Sequence, residues 1–278
     1  MPIQDVMRVA VDEASHSLRV LQITDCHLGA QSGDQLVGMD TDASLDHVLA
    51  LISQQEHRAE LLLATGDLSN HGSPQAYLRL KQKLEPFSFP CAWLAGNHDE
   101  RKSMIDTVGA VCLPRVVLLG HWAIVLLDST VPGKVGGKLG AVELQLLRDT
   151  LADLDVRYVM VCLHHQPVPV GCTWLDQQQV SDSDDFFAVL AAEKRLRAIV
   201  WGHVHQDFCG RHASLPGVKL LASPSTCVQF APHSPAFKID TTAPGYRWFE
   251  LHANGEVETG VSRIEGIELG VDIDSSGY

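Results

Sequence analysis

Seven short apolar runs recur along the chain, and most of them end in a cluster of polar residues. Their hydrophobicity is continuous rather than alternating, which is typical of β-strands that are covered on both faces. Such strands need a packed layer on each side, so this feature constrains the fold more than any other. The runs are LRVLQITDCH (18–27), AELLLATGD (59–67), FPCAWLAGNHD (89–99), WAIVLLDST (122–130), RYVMVCLHH (157–165), LRAIVWGHVH (196–205) and VKLLASPST (218–226).

Helical patterns alternate with these runs. Apolar residues spaced i, i+3, i+4 and i+7 predict an amphipathic helix over residues 42–58. Ser73 followed by Pro74 predicts the start of a second helix, with the hydroxyl as N-cap. Two more helices are predicted over residues 140–154 and 181–196, the latter with Lys194 and Arg195 in its last turn. Strand and helix alternation predicts a layered α/β fold, with ligands bound beyond the carboxyl ends of the strands.

The pattern changes after residue 227. Prolines predict a loop over residues 228–244, and residues 246–264 predict a hairpin turned at Asn254-Gly255, which adds antiparallel strands to a sheet edge. The glycine- and lysine-containing stretch 132–140 is too short for a linker and predicts a mobile loop. We expect one domain over residues 1–270 and a flexible tail over residues 271–278.

Composition excludes several classes of protein. The chain has 278 residues, is 45% hydrophobic and carries a formal net charge of −13, so it can bury a large core but lacks the basic face that a nucleic-acid polymer requires. We see no signal peptide and no apolar window long enough to span a bilayer, and therefore expect a cytoplasmic protein without a membrane partner. The seven cysteines are scattered without CxxC spacing, as expected of reduced thiols.

The ends of five strands carry side chains that bind metal ions. Each group alone has an ordinary explanation, because Asn, Asp and Gly form turns readily and a single buried histidine is commonly structural. Five such groups in one chain favour a metal site instead. The ligand atoms are oxygen and nitrogen without thiolate, a set that suits iron, manganese or zinc. The residues are Asp25, His27, Asp67, Asn97, His98, Asp99, His164, His203 and His205.

This ordered series resembles the calcineurin-like metallophosphoesterases. The matching motifs are Asp25-x-His27, Gly66-Asp67, Gly96-Asn97-His98-Asp99, His164 and Gly202-His203-x-His205, which together span about residues 20–205. Further stretches resemble the class III cyclic-nucleotide phosphodiesterases, and closely the bacterial 3',5'-cyclic AMP enzymes among them. These are residues 66–80, 136–147, 164–176, 224–230 and 243–251. The resemblance implies a four-layer αββα sandwich with a dinuclear metal site at the carboxyl ends of the strands.

The resemblance also implies a role for each residue. One metal ion would be held by Asp25, His27 and His205, and the other by Asn97, His164 and His203, with Asp67 bridging the two. Iron and manganese are the metals expected, while zinc and others stay open. His27, Asp67, Asn97, His98 and His205 would contact the substrate, with His98 as general acid oriented by Asp99.

The implied reaction is the hydrolysis of 3',5'-cyclic AMP to 5'-AMP, through attack by a hydroxide held between the two metal ions. A small cyclic nucleotide is then the expected partner, and a homodimer is expected by family analogy alone. Two alternatives stay open at this point. The same site could serve a phosphodiesterase or pyrophosphatase of another specificity, or the chain could be a non-catalytic scaffold, although the complete ligand set argues against the scaffold.

Overall fold

The computed structural model of the protein describes residues 5–12, 15–268 and 270–277. Every apolar run identified above contains one of its strands. The strands are β1 (Val6–Val9), β2 (Ser17–Ile23), β3 (Gln35–Leu36), β4 (Met39–Asp40), β5 (Ala59–Thr65), β6 (Cys91–Leu94), β7 (Val116–Leu119), β8 (Trp122–Leu126), β9 (Tyr158–Cys162), β10 (Leu196–Trp201), β11 (Phe208–Gly210), β12 (Lys219–Ala222), β13 (Gln229–Phe230), β14 (Ile239–Asp240), β15 (Gly245–His252) and β16 (Val257–Arg263). The helices are α1 (Thr41–Gln55), α2 (Pro74–Leu84), α3 (Arg101–Val108), α4 (Gly140–Asp153), α5 (Thr173–Asp176) and α6 (Ser183–Leu190).

Most of the strands belong to two sheets. The larger has seven strands in the order β1-β7-β8-β9-β10-β12-β11, and its neighbours β8, β9, β10 and β12 are parallel. The smaller has five strands in the order β16-β15-β2-β5-β6, with β2, β5 and β6 parallel. The predicted hairpin is present as β15 and β16, and β15 pairs antiparallel with β2. The hairpin turn includes Gly255, whose φ is 89°.

Three clusters of buried residues order these elements into layers. The first lies between the two sheets and includes Val20, Leu63 and Val200. The second packs the outer face of the smaller sheet against α1, α2 and α3, and the third packs the outer face of the larger sheet against α4, α5 and α6. The strands are therefore covered on both faces, as their continuous hydrophobicity predicts. The architecture is the expected αββα sandwich.

The helix starts follow local sequence signals, with one difference. The Asp40 side chain accepts a hydrogen bond from the N–H of Ala43 at 2.9 Å and caps α1. Pro74 stands at the first position of α2, as predicted. The hydroxyl of Ser73, which precedes it, makes no capping bond and donates instead to Oε1 of Gln75 at 2.8 Å.

Helix α6 is shorter than its sequence pattern suggests. It ends at Leu190, so Lys194 and Arg195 do not lie in its last turn. The guanidinium of Arg195 donates instead to the carbonyl of Leu151 at 2.6 Å and to that of Leu154 at 2.7 Å. These carbonyls close the carboxyl end of α4, where a cation is favourable. The basic residue therefore completes a different helix from the one predicted.

The C-terminal residues return to the hairpin formed by β3 and β4. The N–H of Asp272 donates to the carbonyl of Val37 at 2.8 Å. The proposed flexible tail over 271–278 and the domain boundary at 270 stay predictions, and Tyr278, with residues 1–4, 13–14 and 269, lies outside the described residues. Across the part of the chain that the structure describes, the helices fall short of the length and apolar character needed to traverse a bilayer.

Candidate metal centre

The predicted ligands follow the carboxyl ends of parallel strands in both sheets. Asp25 and His27 follow β2, Asp67 follows β5, and Asn97 follows β6 in the smaller sheet. His164 follows β9, and His203 and His205 follow β10 in the larger sheet. The ends of both sheets meet at one edge of the sandwich, so these side chains converge there. All of them are buried except Asn97, which is half-buried.

Five of these ligand positions have a left-handed backbone conformation. The φ angle is 54° at Asp25, 46° at His27, 49° at Asp67, 62° at His203 and 49° at His205. Such conformations cost non-glycine residues about 1–3 kcal/mol each and concentrate at functional sites. Backbone hydrogen bonds between the loops hold the conformation, because the N–H groups of Asp25 and His27 donate to the carbonyls of residues 66 and 67 at 2.9 and 2.8 Å.

The glycines of the motifs make room for this convergence. A Cβ atom on Gly66 would lie 2.2 Å from Nδ1 of His164, and one on Gly96 would lie 2.3 Å from Oδ1 of Asp67. Gly96 also begins the turn that the N–H of Asp99 closes at 3.1 Å. A Cβ atom on Gly202 would lie 2.1 Å from Oγ1 of Thr24. Any side chain at these three positions would separate the strand ends.

Asp25, His27 and His205 form the first cluster. Nε2 of His205 lies 3.3 Å from Oδ1 of Asp25 and 3.2 Å from Nε2 of His27. The other ring nitrogen of each histidine has a separate partner, because Nδ1 of His27 donates to Oδ1 of Asn70 at 3.1 Å and Nδ1 of His205 donates to the carbonyl of Val228 at 2.8 Å. Both Nε2 atoms therefore offer their lone pairs to one point beside a carboxylate.

Asn97 and His164 belong to the second cluster together with His203, whose ring lies 5.2 Å from that of His164 between centroids, and Asp67 lies between the two clusters. Nε2 of His164 lies 3.2 Å from Oδ1 of Asn97 and 3.3 Å from Oδ2 of Asp67. The same Oδ2 lies 3.8 Å from Nε2 of His27 in the first cluster. Nδ1 of His164 donates to the carbonyl of Thr65 at 2.9 Å. One carboxylate oxygen thus faces histidines of both clusters.

The electrostatics of the two clusters favour a cation. Burial opposes ionisation of Asp67, but His164 and the neighbouring histidines outweigh it and hold the pKa of that carboxyl well below its ordinary value. Burial also lowers the pKa of His27 to about 3, so its imidazole is neutral. His164 is the exception, because Asp67 outweighs burial and raises the pKa of His164 to about 9. Buried carboxylates beside imidazoles are the donor set that divalent metals take, and metal binding at His164 would release the proton that Asp67 otherwise stabilises there.

His98 stands at the mouth of the site and is half-buried. Its Nδ1 donates to the carbonyl of Asn70 at 3.0 Å, and its backbone N–H donates to Oδ1 of Asp67 at 2.8 Å. Its ring lies 4.8 Å from that of His27 between centroids. Donation from Nδ1 makes Nε2 the nitrogen that can exchange a proton with a bound ligand.

Asp99 connects two of the ligand-bearing loops. Its carboxylate accepts hydrogen bonds from the backbone N–H groups of Gly96, Leu68 and Ser69 at 2.9–3.1 Å and from the hydroxyl of Tyr77 at 3.0 Å. Burial raises the pKa of Asp99 to about 6. Its contacts fix the loop that carries His98, and direct orientation of the His98 ring by Asp99 stays a prediction.

Sequence reasoning did not identify Asn70 or Gln178 as parts of this site. Asn70 contacts His27 through its side chain and His98 through its carbonyl, and Oε1 of Gln178 lies 3.0 Å from Nε2 of His203. Neither residue has a periodic or motif signal that marks such a contact. His165 is fully buried, with Nδ1 2.8 Å from Oγ of Ser129.

Comparison with known proteins identifies the family. A family model described as calcineurin-like phosphoesterase matches residues 18–207, well over half of the chain and all of the predicted ligands. The chain belongs to the calcineurin-like phosphoesterase family. Membership in this family implies a dinuclear metal site, and the two buried clusters fit one.

Several calcineurin-like phosphoesterase relatives are similar over almost their whole length. The 3',5'-cyclic adenosine monophosphate phosphodiesterase CpdA of Pseudomonas aeruginosa is 44% identical over 263 residues, which cover 94% of this chain and 96% of that protein. The protein of the same name from Escherichia coli K12 is 40% identical over 264 residues, covering 94% and 95% of the two chains. The chain is thus similar, over nearly its whole length, to proteins that are named 3',5'-cyclic adenosine monophosphate phosphodiesterases.

Two solved structures share the fold. A dimetal phosphatase from Danio rerio aligns with a TM-score of 0.60 at 16% identity, over 89% of this chain and 99% of that one. The purple acid phosphatase PPD1 from yellow lupin aligns with a TM-score of 0.68 at 12% identity, over 94% of this chain and 54% of that one. At this level of identity the likeness concerns the architecture alone.

Proposed function

We propose that this phosphodiesterase hydrolyses 3',5'-cyclic AMP to 5'-AMP at a centre of two metal ions. The observation that carries the proposal is the position of Asp67, whose Oδ2 lies 3.3 Å from Nε2 of His164 and 3.8 Å from Nε2 of His27. A carboxylate between two histidine clusters is the arrangement that a pair of ions requires. The substrate follows from the names of the relatives that are 40–44% identical over 94% of the chain.

In the proposed centre each ion takes ligands from both sheets. Asp25, His27 and His205 would hold one ion, Asn97, His164 and His203 would hold the other, and Asp67 would contribute to both. Iron and manganese are proposed as the metals, because the donors are carboxylate, amide and imidazole. Cys26 lies between two of the ligands but is excluded, since burial raises the pKa of its thiol far above neutrality and keeps it protonated.

When bound, the two ions supply charge neutralisation on the phosphoryl oxygens and activation of water. The chain supplies binding and proton transfer. His98 is proposed to act in its imidazolium form, donating the proton on Nε2 to the O3' leaving oxygen and becoming the neutral ring whose remaining N–H, on Nδ1, is held by the carbonyl of Asn70. His27, Asp67, Asn97, His98 and His205 are the proposed contacts of the phosphate, and Asn97 and His98 among them are only half-buried.

A product-resolved assay tests this proposal. Purified protein loaded with manganese or iron is given cyclic AMP, cyclic GMP, 2',3'-cyclic nucleotides and a generic aryl phosphodiester in parallel. We expect 5'-AMP from cyclic AMP, with metal analysis of the same sample giving about two ions per chain. Hydrolysis of the aryl diester without any of cyclic AMP would point to a phosphodiesterase or pyrophosphatase of another specificity.

We also propose a cytoplasmic location, a homodimer and no nucleic-acid polymer as partner. The net charge of −13 supports the last point, because single- and double-stranded nucleic acids are bound through basic grooves. Light scattering of the eluting protein measures the oligomeric state. Retention of labelled single-stranded DNA at physiological salt would contradict the exclusion of nucleic acid.

A further inference from the structure

Gln178 contacts the second cluster from outside the set of predicted ligands. Its Oε1 lies 3.0 Å from Nε2 of His203. We infer that Gln178 is a positioning residue for the metal centre: its side-chain oxygen accepts the Nε2–H of His203, so that Nδ1 of His203 keeps the lone pair that binds metal. This inference rests on the proposed function, since it takes His203 as a ligand.

The other contacts of His203 fix its main chain and its ring plane but not its tautomer, so the hydrogen bond to Gln178 sets the tautomer. Its backbone N–H donates to both carboxylate oxygens of Asp25 at 3.0 and 3.1 Å, which fixes the main chain. Its ring packs against that of His164 at 5.2 Å and that of His165 at 4.7 Å between centroids, which fixes the ring plane. A neutral imidazole has one N–H, and its position is set by the hydrogen bond that the ring makes.

His203 therefore differs from the other three ligand histidines. His27, His164 and His205 donate from Nδ1, to Oδ1 of Asn70 and to the carbonyls of Thr65 and Val228. These three rings present Nε2 to the site. His203 donates from Nε2 and presents Nδ1. The opposite tautomer at one ligand is a signature that can be measured.

The glycine- and lysine-containing loop 132–140 holds Gln178 in place. The carbonyl of Gln178 accepts the N–H of Gly137 at 3.1 Å, and the carbonyl of Gly137 accepts the N–H of Ser181 at 2.9 Å. The N–H of Gln178 itself donates to the carbonyl of Leu175, at the end of α5. The first two bonds tie the main chain between Gln178 and Ser181 to the loop, and the third ties Gln178 to α5.

The same loop reaches the centre through His165. A Cβ atom on Gly137 would lie 2.6 Å from Cγ of His165, so only glycine allows the loop to approach this closely. Nε2 of His165 donates to the carbonyl of Val135 at 3.0 Å. The loop thus contacts His165 and Gln178, which are two of the residues whose side chains contact the ring of His203. This gives a function to a stretch that the sequence alone leaves as a mobile loop.

Two variants of equal side-chain length test the inference. Gln178→Met removes the acceptor, and Gln178→Glu keeps an acceptor but cannot donate. Gln177→Met is the matched control, because Gln177 is the exposed neighbour. Dissociation constants for Mn²⁺ are measured by competition with a chelating dye. We expect Gln178→Met to weaken one of the two metal sites about 10- to 100-fold, with Gln178→Glu and Gln177→Met binding at least as tightly as the parent protein.

Nuclear magnetic resonance of the zinc-loaded parent protein tests the tautomer without any variant. In a long-range ¹H–¹⁵N spectrum we expect three metal-bound histidines protonated at Nδ1 and one protonated at Nε2. Unchanged metal affinity in Gln178→Met, equal weakening in Gln178→Glu, or four histidines protonated at Nδ1 would each overturn the inference. If the inference on Gln178 fails but the parent protein binds two ions and cleaves cyclic AMP, the proposed function stands. A parent protein that binds no metal would overturn both the inference and the proposed function.

Discussion

Nε2 of His27 and Nε2 of His205 lie 3.2 Å apart in the buried core of the site. Each ring already donates from Nδ1, so neither Nε2 atom carries a hydrogen in the neutral ring. Two lone pairs directed at one point repel unless a positive charge lies between or beside them. Asp25, 3.3 Å from His205, adds a negative charge to the same region. A cation bound between these groups would therefore lower the electrostatic free energy of the folded site.

Metal loading is expected to stabilise the fold. At a free metal concentration of 100 times Kd, one site that binds only the folded state adds about 2.7 kcal/mol to the free energy of unfolding. For a chain of this length we expect a rise in Tm of about 5 °C per site. Differential scanning calorimetry of protein treated with EDTA and then titrated with Mn²⁺ measures it. Identical Tm values with and without metal would contradict the expected stabilisation by metal binding.

Asp67→Ala is expected to remove both metal ions together with activity, because this carboxylate faces both clusters. Elemental analysis of the purified variant measures the metal content, and circular dichroism checks the fold, since alanine is disfavoured at a φ of 49°. Asp106→Ala on the exposed face of α3 is the control and should keep both ions. A folded Asp67→Ala protein with two ions bound would show that the residue does not bridge.

His98→Ala is expected to lower kcat about 10²- to 10⁴-fold, the usual contribution of a general acid, while the metal content stays the same. The metal stays because Asp67 keeps its other contacts when the ring is removed. Steady-state kinetics and metal analysis on one preparation separate the two effects. The exposed His121, on the turn between β7 and β8, gives the control variant His121→Ala. Full activity without the His98 ring would exclude its role as acid.

Asn70→Ala is expected to weaken metal binding about 10- to 100-fold without disturbing proton transfer. The side chain of Asn70 fixes the tautomer of His27, whereas His98 is bound by the backbone carbonyl, which the substitution keeps. We therefore expect kcat to recover at saturating Mn²⁺. Titration of activity against metal concentration tests this, with Asn254→Ala in the hairpin turn as the control. A kcat that stays low at saturation would mean that the carbonyl has moved.

Cys209 is expected to react first with a maleimide. It is exposed, whereas Cys26, Cys162, Cys172 and Cys227 are buried. Burial raises the pKa of Cys227 to about 12, so its thiolate is scarce at neutral pH. Peptide mapping by mass spectrometry after brief labelling identifies the site, and Cys209→Ser should abolish the fast phase. Rapid labelling of a buried cysteine in native protein would indicate local opening.

The strands and the convergence of the candidate ligands were predictable from sequence for one shared physical reason. Continuous apolar runs identify strands buried on both faces, and the carboxyl ends of parallel strands meet at one edge. The residues directly after the runs, such as Asp67 and His164, must then converge. The residues that orient them were not predictable, because Asn70 and Gln178 reach their partners across loops whose paths depend on the whole fold.

Helix ends were less predictable than strands, and Arg195 shows why. Its position after an amphipathic pattern suggests the last turn of α6, yet it binds the final carbonyls of α4, some forty residues earlier in the chain. A basic residue is favourable at the carboxyl end of any helix that it can reach. A sequence pattern indicates only the helix that is nearest along the chain. Helix α3, which Glu100 caps by accepting from the N–H of Ser103 at 2.8 Å, carried too weak a pattern to be predicted.

The division of the ligands between the two sheets has a consequence for assembly. In the proposed centre, neither ion can complete its coordination within one sheet, because Asp25, His27 and Asn97 come from one and His164, His203 and His205 from the other. Metal uptake is then expected at a late stage of folding, after the two sheets have docked. A bound ion would cross-link the two sheets. Metal binding would therefore mark the point at which the two sheets have packed together.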